Sequence, residues 1–311
     1  MFFSVVIPTY NRADILEKCL EALFKQSIDS RDFEIIVVSD GSTDNTDELI
    51  KTLQKSHSNL RYLKQVNQGQ GIARNNAIKL AKGEITVLIG DDIIPSYDFL
   101  FEHQKFHYMH EAENEAVLGF TAWHPALKIN SFMEWVVNGS VILGKFGGHQ
   151  FAYEKLKNKD RADYNFFYTS NISLKTSLLK KYPFDPIFSG YGWEDIELGY
   201  RLTQKENLKL YYNSWAIAYH DHYLEENSLK KRMESIGKSA WIFNRKYPQL
   251  KKVPRFMKWL ILRLISLWPV IIILDLVKIL SGNRFYSLYY YCLSKRYFLK
   301  GLKIGREIYG G

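Results

Sequence analysis

The sequence predicts an α/β protein with a mostly parallel central sheet flanked by helices, followed by a C-terminal amphipathic helical extension. Two observations predict the sheet: short apolar runs alternate with helical patterns up to about residue 90, and a polar segment follows each run. Such alternation is typical of βαβ units. The chain has 311 residues, of which 46% are hydrophobic and 15% aromatic. It can therefore bury a sizeable core, and this composition excludes a disordered chain.

The predicted elements follow one another in a regular order. Strands are predicted at residues 3–7, 33–38, 60–64 and 85–89, and helices at residues 15–24, 72–81 and around residues 49–53. The polar segments that follow the strands are residues 9–12, 39–42, 67–71 and 90–92. Because ligands bind at the carboxyl ends of strands in such sheets, these four segments form the predicted binding edge.

An aspartate pair stands at the end of the fourth predicted strand. Asp91 and Asp92 directly follow the apolar residues 87–89. Two adjacent carboxylates there repel each other and lose hydration unless a cation compensates. A divalent cation held by one or two carboxylates and by the phosphates of a substrate meets that need. A turn or helix cap is the alternative interpretation of the pair alone.

A second acidic cluster lies at residues 190–197. Asp195, which follows Glu194, is a candidate general base for an acceptor hydroxyl. Gly192 would let backbone approach a ligand, and Trp193 would stack on a sugar ring. The alternative is an acidic first turn of a helix, which the helix dipole favours. Both interpretations can hold, because a helix start is a rigid place to mount a base.

Two histidines follow a predicted strand at residues 216–218. His220 is the candidate that completes a metal site begun by the aspartate pair, and His222 is the fallback ligand. A hydrogen-bonded, partly exposed histidine at a strand end is the alternative.

A glycine-rich turn at residues 67–75 precedes a predicted helix. Its backbone N–H groups suit phosphate, and Arg74 adds a fixed positive charge. The glycines lack the spacing and the later acidic residue of a dinucleotide fingerprint, which excludes that class of site.

In combination, four segments resemble the family 2 glycosyltransferases, which have the GT-A fold. They are residues 4–12, 34–44, 67–75 and 89–95. The later segment 184–201 is similar to the acceptor-side motif of galactosyltransferase and chondroitin-polymerase-type enzymes. The resemblance covers roughly residues 3–222. One departure is Gly90, which stands where the family often has the first aspartate of its DXD motif, so metal ligation would depend on Asp92 with help from Asp91.

The resemblance implies a role for each matched residue. The implied nucleotide-sugar contacts are Pro8, Thr9, Tyr10, Asn11, Arg12, Asp40, Asn67, Gly71, Arg74 and Asp91, with Asp40 on a uracil-type base. The implied metal ligands are Asp92 and His220. The implied catalytic carboxylates are Asp195, as the base, and Glu194, and the implied acceptor contacts are Gly192 and Trp193.

The implied reaction is an inverting displacement assisted by Mn²⁺ or Mg²⁺. It would move a sugar from a nucleoside-diphosphate sugar, a UDP-sugar above all, to a hydroxyl of a glycan or lipid-linked oligosaccharide in surface polysaccharide synthesis. Two alternatives stay open: a polyprenyl-phosphate sugar transferase, and a non-catalytic subunit that binds a sugar nucleotide or a glycan.

These assignments divide the chain into a glycosyltransferase domain at residues 1–249 and a tail at residues 250–311. Within the domain, residues 1–103 would bind the nucleotide and residues 104–249 the acceptor. The formal net charge of +9 belongs to the tail, since residues 251–311 hold 12 basic and 2 acidic side chains. No recognised nucleic-acid motif accompanies this charge, so a nucleic-acid partner is not expected.

Basic, aromatic, amphipathic helices lie on anionic membranes. The tail therefore predicts a chain that is peripheral on the inner face of the cell membrane. The alternative is a helix pair that packs on the catalytic domain or across a homo-oligomer. Two cysteines and the absence of a signal-like start favour the cytoplasm.

Overall fold

The computed structural model describes residues 1–139, 150–282 and 284–310. The described residues fall into two compact units. The first comprises Met1–Ala126, Leu156–Ser189 and Glu194–His222, and the second comprises the described residues of Leu127–Lys155, Gly190–Trp193 and Tyr223–Gly311. The predicted boundary between residues 249 and 250 falls inside the second unit, and the division of the chain into a catalytic domain and a tail stays a prediction.

The first unit contains the strands, and both units contain helices. The strands are β1 (Phe3–Thr9), β2 (Phe33–Ser39), β3 (Leu60–Lys64), β4 (Ile85–Leu88), β5 (Ile93–Pro95), β6 (Glu115–Trp123), β7 (Arg161–Ala162), β8 (Ile172–Lys175) and β9 (Lys209–His220). The helices are α1 (Ala13–Phe24), α2 (Thr46–Leu53), α3 (Gln70–Leu80), α4 (Phe99–Met109), α5 (Ser131–Asn138), α6 (Thr176–Lys181), α7 (Glu194–Glu206), α8 (Ser228–Lys246), α9 (Phe256–Ile265), α10 (Trp268–Leu280) and α11 (Tyr286–Tyr309).

The strands form one sheet in the order β3-β2-β1-β4-β8-β6-β9-β5, with β7 paired to β9. The β3-β2-β1-β4 half is parallel throughout. Beyond it, β8 runs antiparallel to both β4 and β6, whereas β6 and β9 are parallel over a long register. The predicted α/β architecture with a mostly parallel sheet flanked by helices is confirmed.

Three of the four strands in the parallel half, β1, β2 and β4, are buried on both faces. All seven residues of β1 and of β2 are buried, as expected where helices cover both sides of a parallel sheet. Helix α1 contributes the apolar side chains of Leu16, Leu20 and Leu23, at the helical spacing that the sequence shows. The buried strands therefore hold their carboxyl ends, and the loops that follow them, in fixed positions.

Strand β1 extends two residues beyond its predicted end. Pro8 lies within the strand, opposite Val38 of β2. Pairing with β4 on the other side stops at Val6, which lies opposite Leu88. Since alternate residues of a strand direct their N–H groups to opposite neighbours, Pro8 faces the β4 side beyond the last pairing. Its missing N–H therefore removes no bond from the sheet.

In the second unit, α8 and α11 approach closely through glycines. A Cβ atom at Gly301 would lie 2.1 Å from the carbonyl oxygen of Glu234, and one at Gly237 would lie 2.2 Å from that of Phe298. Only residues without a side chain permit such an approach of two helix backbones. The predicted tail is thus anchored through α11 to the helix that precedes it.

The apolar segment before α11 is divided into two helices. Between α9 and α10 the chain bends by 52°. Among the described residues, no individual helix is long and apolar enough to cross a membrane, although this bent pair passes the same test of length and composition. Most of the large apolar side chains of the pair are exposed.

We expect Gly301→Leu to lower the free energy of unfolding by about 1–3 kcal/mol, because the new side chain must separate α8 from α11. Urea unfolding followed by circular dichroism measures this loss. Lys303→Leu is the matched control, since it places the same side chain on an exposed position of α11 and should change stability by less than about 0.5 kcal/mol. Equal stability of the two variants would contradict the close packing.

Candidate active site

The candidate site of the first unit lies where β1 and β4 end side by side. The order of strands along the sheet reverses here, because β1 is followed in sequence by β2 on one side and has β4 on the other. Such a reversal opens a crevice at the carboxyl ends of the strands. The two loops are joined by a hydrogen bond in which Thr9 Oγ1 donates to Asp91 Oδ2 at 2.8 Å.

Arg12 spans the aspartate pair. Its Nη1 donates to Asp91 Oδ1 at 2.9 Å, and its Nη2 donates to Asp92 Oδ2 at 3.0 Å. The same Nη2 lies 2.5 Å from His222 Nδ1. Burial, reinforced by the charge of Asp92, raises the pKa of Asp91, and the Arg12 guanidinium opposes that shift. The pair thus has the cation that its buried charges require.

The two histidines are brought to Asp92 by strand pairing. His220 lies opposite Ile93 in the antiparallel pair of β9 and β5, and the backbone N–H of Asp221 donates to the Asp92 carbonyl at 2.8 Å. As a result, His220 Nε2 lies 3.6 Å and His222 Nδ1 3.7 Å from Asp92 Oδ2. Strand β9 ends at His220, so His222 reaches the aspartate from the following loop.

These donors fit a divalent cation in chemistry and approach, since carboxylate oxygen and imidazole nitrogen both bind Mn²⁺. No group of three or more His, Cys, Asp or Glu residues is already arranged as a metal site within residues 1–139, 150–282 and 284–310. In the structure, a nitrogen of Arg12 contacts both Asp92 and His222. Asp92 and His220 lie close together, and their role as ligands stays a prediction.

Asp40 shapes the loop before α3. Its carboxylate accepts hydrogen bonds, each of 2.8 Å, from the Gln65 side chain and from the backbone N–H groups of Gln68 and Gly69. Gly69 has a φ of 93°, and a Cβ there would lie 2.9 Å from the Ser189 carbonyl oxygen. Asp40 therefore supports the predicted nucleotide loop directly. Its contact with a uracil-type base stays a prediction.

The other residues of the predicted nucleotide site lie around the same edge. Asn11 has a φ of 52°, and its backbone N–H donates to Ser42 while its side chain accepts from the Thr43 N–H at 2.7 Å. This arrangement joins the loop after β1 to the loop after β2. Tyr10 and Asn67 are exposed, whereas Pro8 is buried within β1.

Arg74 is a buried cation on α3. Its Nε and Nη1 atoms have no hydrogen-bond partner among the described residues, and its guanidinium carbon lies 5.7 Å from the Phe184 ring centroid. Burial lowers the pKa of Arg74, and the charges of two acidic pairs oppose that shift: Glu194 with Asp195, and Asp91 with Asp92. Arg74 thus links the two predicted carboxylate clusters electrostatically. Gly71 lies one helical turn earlier, where a Cβ would contact the same ring.

The second acidic pair opens α7, which begins at Glu194. Asp195 Oδ1 accepts from the backbone N–H of Ile196 at 2.8 Å, while the Gln70 side chain donates to the buried Glu194. Burial raises the pKa of both carboxyls, and Arg74 opposes the shift in each case. The more accessible Asp195 has the raised pKa and the fixed position that a general base needs.

The predicted acceptor residues belong to the second unit. Gly192 and Trp193 both have positive φ angles, 98° and 74°. The Trp193 ring packs against Phe243, with ring centroids 5.0 Å apart, and Lys252 lies over it at 5.4 Å. A Cβ at Gly192 would approach the Ile236 side chain to 3.1 Å. The structure thus describes Trp193 as a packed ring, and its contact with an acceptor sugar stays a prediction.

Sequence reasoning missed the polar residues that hold the site together. Gln70 contacts Glu194, and Gln65 contacts Asp40. Lys18 on α1 forms an ion pair of 2.8 Å with Asp221, the residue between His220 and His222 in the sequence. The sequence does contain a signal for Gln70, because this residue lies inside the glycine-rich turn that was predicted to bind a ligand. The other contacts join residues far apart in sequence, and no local pattern identifies them.

The N-terminal part of the chain, which contains the aspartate pair, matches one protein family. Residues 4–128 match the model of glycosyl transferase family 2. Validoxylamine A glucosyltransferase of Streptomyces hygroscopicus subsp. jinggangensis is 28% identical over 265 residues, which cover 79% of this chain and 61% of that enzyme. This chain therefore spans less than two thirds of that relative.

A second relative matches along its full length. The dolichyl N-acetyl-alpha-D-glucosaminyl phosphate 3-beta-D-2,3-diacetamido-2,3-dideoxy-beta-D-glucuronosyltransferase of Methanococcus voltae is 27% identical, with 99% of each chain covered. Among solved structures, the mannosyltransferase PcManGT of Pyrobaculum calidifontis, in complex with GDP-Man and Mn²⁺, superposes with a TM-score of 0.62 at 15% identity. The superposition covers 99% of this chain and 87% of that one.

The sheet, the loops at its carboxyl edge and these matches agree with one another. Residues 4–128 therefore match glycosyl transferase family 2, and the chain has the GT-A fold of solved glycosyltransferases.

Proposed function

We propose that the chain is an inverting glycosyltransferase that moves a sugar from a UDP-sugar to a hydroxyl of a glycan or lipid-linked acceptor. One observation carries the proposal: within the first unit, the Asp91–Asp92 pair and the Glu194–Asp195 pair both act on the buried charge of Arg74. A carboxylate pair suited to a cation and a carboxylate suited to a base thus both lie near Arg74. Inverting sugar transfer needs both functions.

Asp195 is the proposed general base. It lies at the start of a helix, is partly accessible and has a pKa raised by burial. In this role it takes the proton from the acceptor hydroxyl as that oxygen attacks the anomeric carbon and the bond to the nucleoside diphosphate breaks. Glu194, fully enclosed and held by Gln70, would keep the base in position.

Asp92 and His220 are the proposed ligands of a divalent cation, with Asp91 beside them. When bound, such an ion neutralises negative charge on the departing diphosphate. The solved relative PcManGT contains Mn²⁺ and GDP-Man, which supports metal use in this fold. The preference for a UDP-sugar is the expectation that follows from the position of Asp40 at the end of β2.

The acceptor class is proposed from chemistry and relatives. The names of both similar enzymes describe sugar transfer, and that of the Methanococcus voltae enzyme describes a dolichyl-phosphate-linked sugar as the acceptor. A polyprenyl phosphate acceptor would need no general base, so the positioned Asp195 favours a hydroxyl. A non-catalytic sugar-nucleotide subunit would have no use for a carboxylate with a raised pKa beside a buried arginine.

A panel of nucleotide sugars tests the reaction class. We expect release of the nucleoside diphosphate from a UDP-sugar only when an acceptor mixture and Mn²⁺ or Mg²⁺ are present, and no release in EDTA. Asp92→Asn should reduce the rate roughly 100-fold or more, because it removes charge from the proposed ion site. Asp14→Asn, exposed on α1, is the matched control. Full activity of Asp92→Asn would contradict the assignment of Asp92 as a ligand of the ion.

A second prediction concerns the base. Asp195→Asn should lower kcat roughly 10²- to 10⁴-fold and leave nucleotide affinity within about twofold, because the amide cannot accept the proton. Since the base acts when deprotonated, the wild-type rate should rise with pH through the raised pKa of Asp195. Glycosyl transfer and isothermal titration with UDP measure the two quantities. Normal turnover of the variant would make the assignment wrong, and retained transfer to a polyprenyl phosphate would favour that alternative acceptor.

We also propose that α9 and α10 bind the surface of an anionic membrane, on the cytoplasmic side. Exposed apolar side chains lie along both helices, among them Ile261 on α9 and Ile272 and Leu276 on α10. The exposed Lys258 and Arg263 lie on α9. Apolar side chains flanked by cations suit the interface of acyl chains and anionic headgroups. An enzyme that uses a lipid-linked acceptor gains access to it there.

Flotation with phospholipid vesicles tests the membrane proposal. The double variant Ile272→Glu/Leu276→Glu should bind anionic vesicles at least roughly tenfold more weakly than wild type. A loss of ~1.4 kcal/mol in transfer free energy already lowers the affinity tenfold. The fold should survive, since the two side chains are 55% and 54% exposed. Val66→Glu/Met109→Glu in the first unit is the matched control. Unchanged flotation with a change in oligomeric state would instead identify a homo-oligomer interface.

A further inference from the structure

We propose that Arg12 is an internal counter-cation that occupies the place of the divalent ion and leaves when a nucleoside diphosphate binds. The proposal rests on the metal-dependent reaction above, but it concerns the competition between two cations rather than turnover. It assigns to Arg12 a function beyond contact with the nucleotide: control of when the ion site is available.

The Arg12 guanidinium contacts side-chain atoms that a divalent ion could use as ligands. Nη2 lies 3.0 Å from Asp92 Oδ2 and 2.5 Å from His222 Nδ1, while Nη1 lies 2.9 Å from Asp91 Oδ1. His220 Nε2 stands 3.6 Å from the same Asp92 oxygen. One side chain therefore contacts both carboxylates and one of the two imidazoles that approach Asp92.

The two cations exclude each other. A transition-metal ion binds carboxylate oxygen or imidazole nitrogen at about 2.0–2.2 Å. Arg12 Nη2 already contacts Asp92 Oδ2, the oxygen assigned to the proposed ion, and also His222 Nδ1, so an ion bound to Asp92 Oδ2 at that distance would compete with Arg12 for the same oxygen. The like charges would also repel each other. Ion binding at these donors consequently requires the Arg12 side chain to withdraw.

The structure lets the side chain withdraw without disturbing its surroundings. The Arg12 carbonyl accepts the N–H groups of Ile15 and Leu16 in the first turn of α1, so the backbone stays fixed. The side chain is 27% exposed. Asp91 retains its hydrogen bond from Thr9 when the guanidinium departs, so one carboxylate of the pair stays in place.

The phosphate oxygens of a bound diphosphate would compete with the carboxylates for the Arg12 guanidinium. Guanidinium groups bind phosphate oxygens through two parallel hydrogen bonds, as they bind carboxylates. A nucleotide at the carboxyl edge of β1 and β4 would offer Arg12 a new anion and offer the ion further oxygen ligands. Diphosphate and ion should therefore bind with positive coupling, and Arg12 should supply part of it.

Mn²⁺ binding measured by electron paramagnetic resonance tests the proposal. Without nucleotide, Arg12→Gln should bind Mn²⁺ roughly tenfold tighter than wild type or more. With UDP present, the difference should shrink, because wild-type Arg12 has then withdrawn. Lys25→Gln is the matched control: it removes one positive charge from an exposed ion pair with Glu21 on α1, is 75% exposed, and should change the affinity by less than about twofold.

The opposite result has a clear meaning. If Arg12 is instead a fixed clamp that holds the carboxylates in register, Arg12→Gln should bind Mn²⁺ more weakly than wild type, and the proposal is overturned. Arg12→Lys provides a second variant, which keeps the charge but loses the fork, and should bind Mn²⁺ tighter than wild type without nucleotide. A melting temperature for each variant confirms folding before the comparison.

The same titrations separate this proposal from the proposed function. If wild type binds Mn²⁺ with UDP but neither Arg12 variant gains affinity without it, the counter-cation role fails and metal-dependent transfer stands. If no variant binds Mn²⁺ even with UDP, the ion site itself fails, and both proposals fail with it.

Discussion

The site depends on one electrostatic constraint: Asp91 and Asp92 place two carboxylates at the end of a buried strand. Burial and mutual repulsion both disfavour the doubly charged pair, and burial with the Asp92 charge raises the pKa of Asp91. Nearby residues with positive or ionisable side chains offset the charge of the two carboxylates. Arg12 bonds both carboxylates, Arg74 faces them from α3, and His220 approaches Asp92 from β9. Two arginines and one histidine of the first unit thus approach or act on the same pair.

The topology of the sheet makes this convergence possible. Because β1 lies between β2 and β4, the loops after all three strands meet at one edge. The antiparallel pairing of β5 with β9 then returns the chain to that edge from more than a hundred residues later. The hydrogen bond from Thr9 to Asp91 and the bonds of Asn11 to the loop after β2 join neighbouring loops directly. The loops that hold the charged groups are therefore joined to one another at this edge.

The sequence predicted the parts whose causes are local. Strands β1 to β4 and the polar segments after them follow from apolar runs and their ends, and the same local signals put the aspartate pair just after β4 and allowed a helix to begin at the Glu194–Asp195 pair. The insertion of β8 antiparallel between β4 and β6 depends on long-range pairing. So do the bond of Gln70 to Glu194 and the loop contacts of Asp40. A single sequence carries the residue types of these contacts but not their partners.

The burial of Arg74 is locally unfavourable for the stability of the fold, while the residue occupies a position that the proposed chemistry would use. A buried donor without a partner costs about 1–3 kcal/mol, and the described residues provide no partner for its Nε and Nη1 atoms. The arginine nevertheless lies between two acidic pairs whose charges favour its cationic form. Locally unfavourable arrangements of this kind persist where a bound molecule completes them. A negatively charged donor substrate at this edge would add to the negative charge that stabilises the cationic form of Arg74 through space. The same anion would offer Arg12 a new partner in place of the carboxylates.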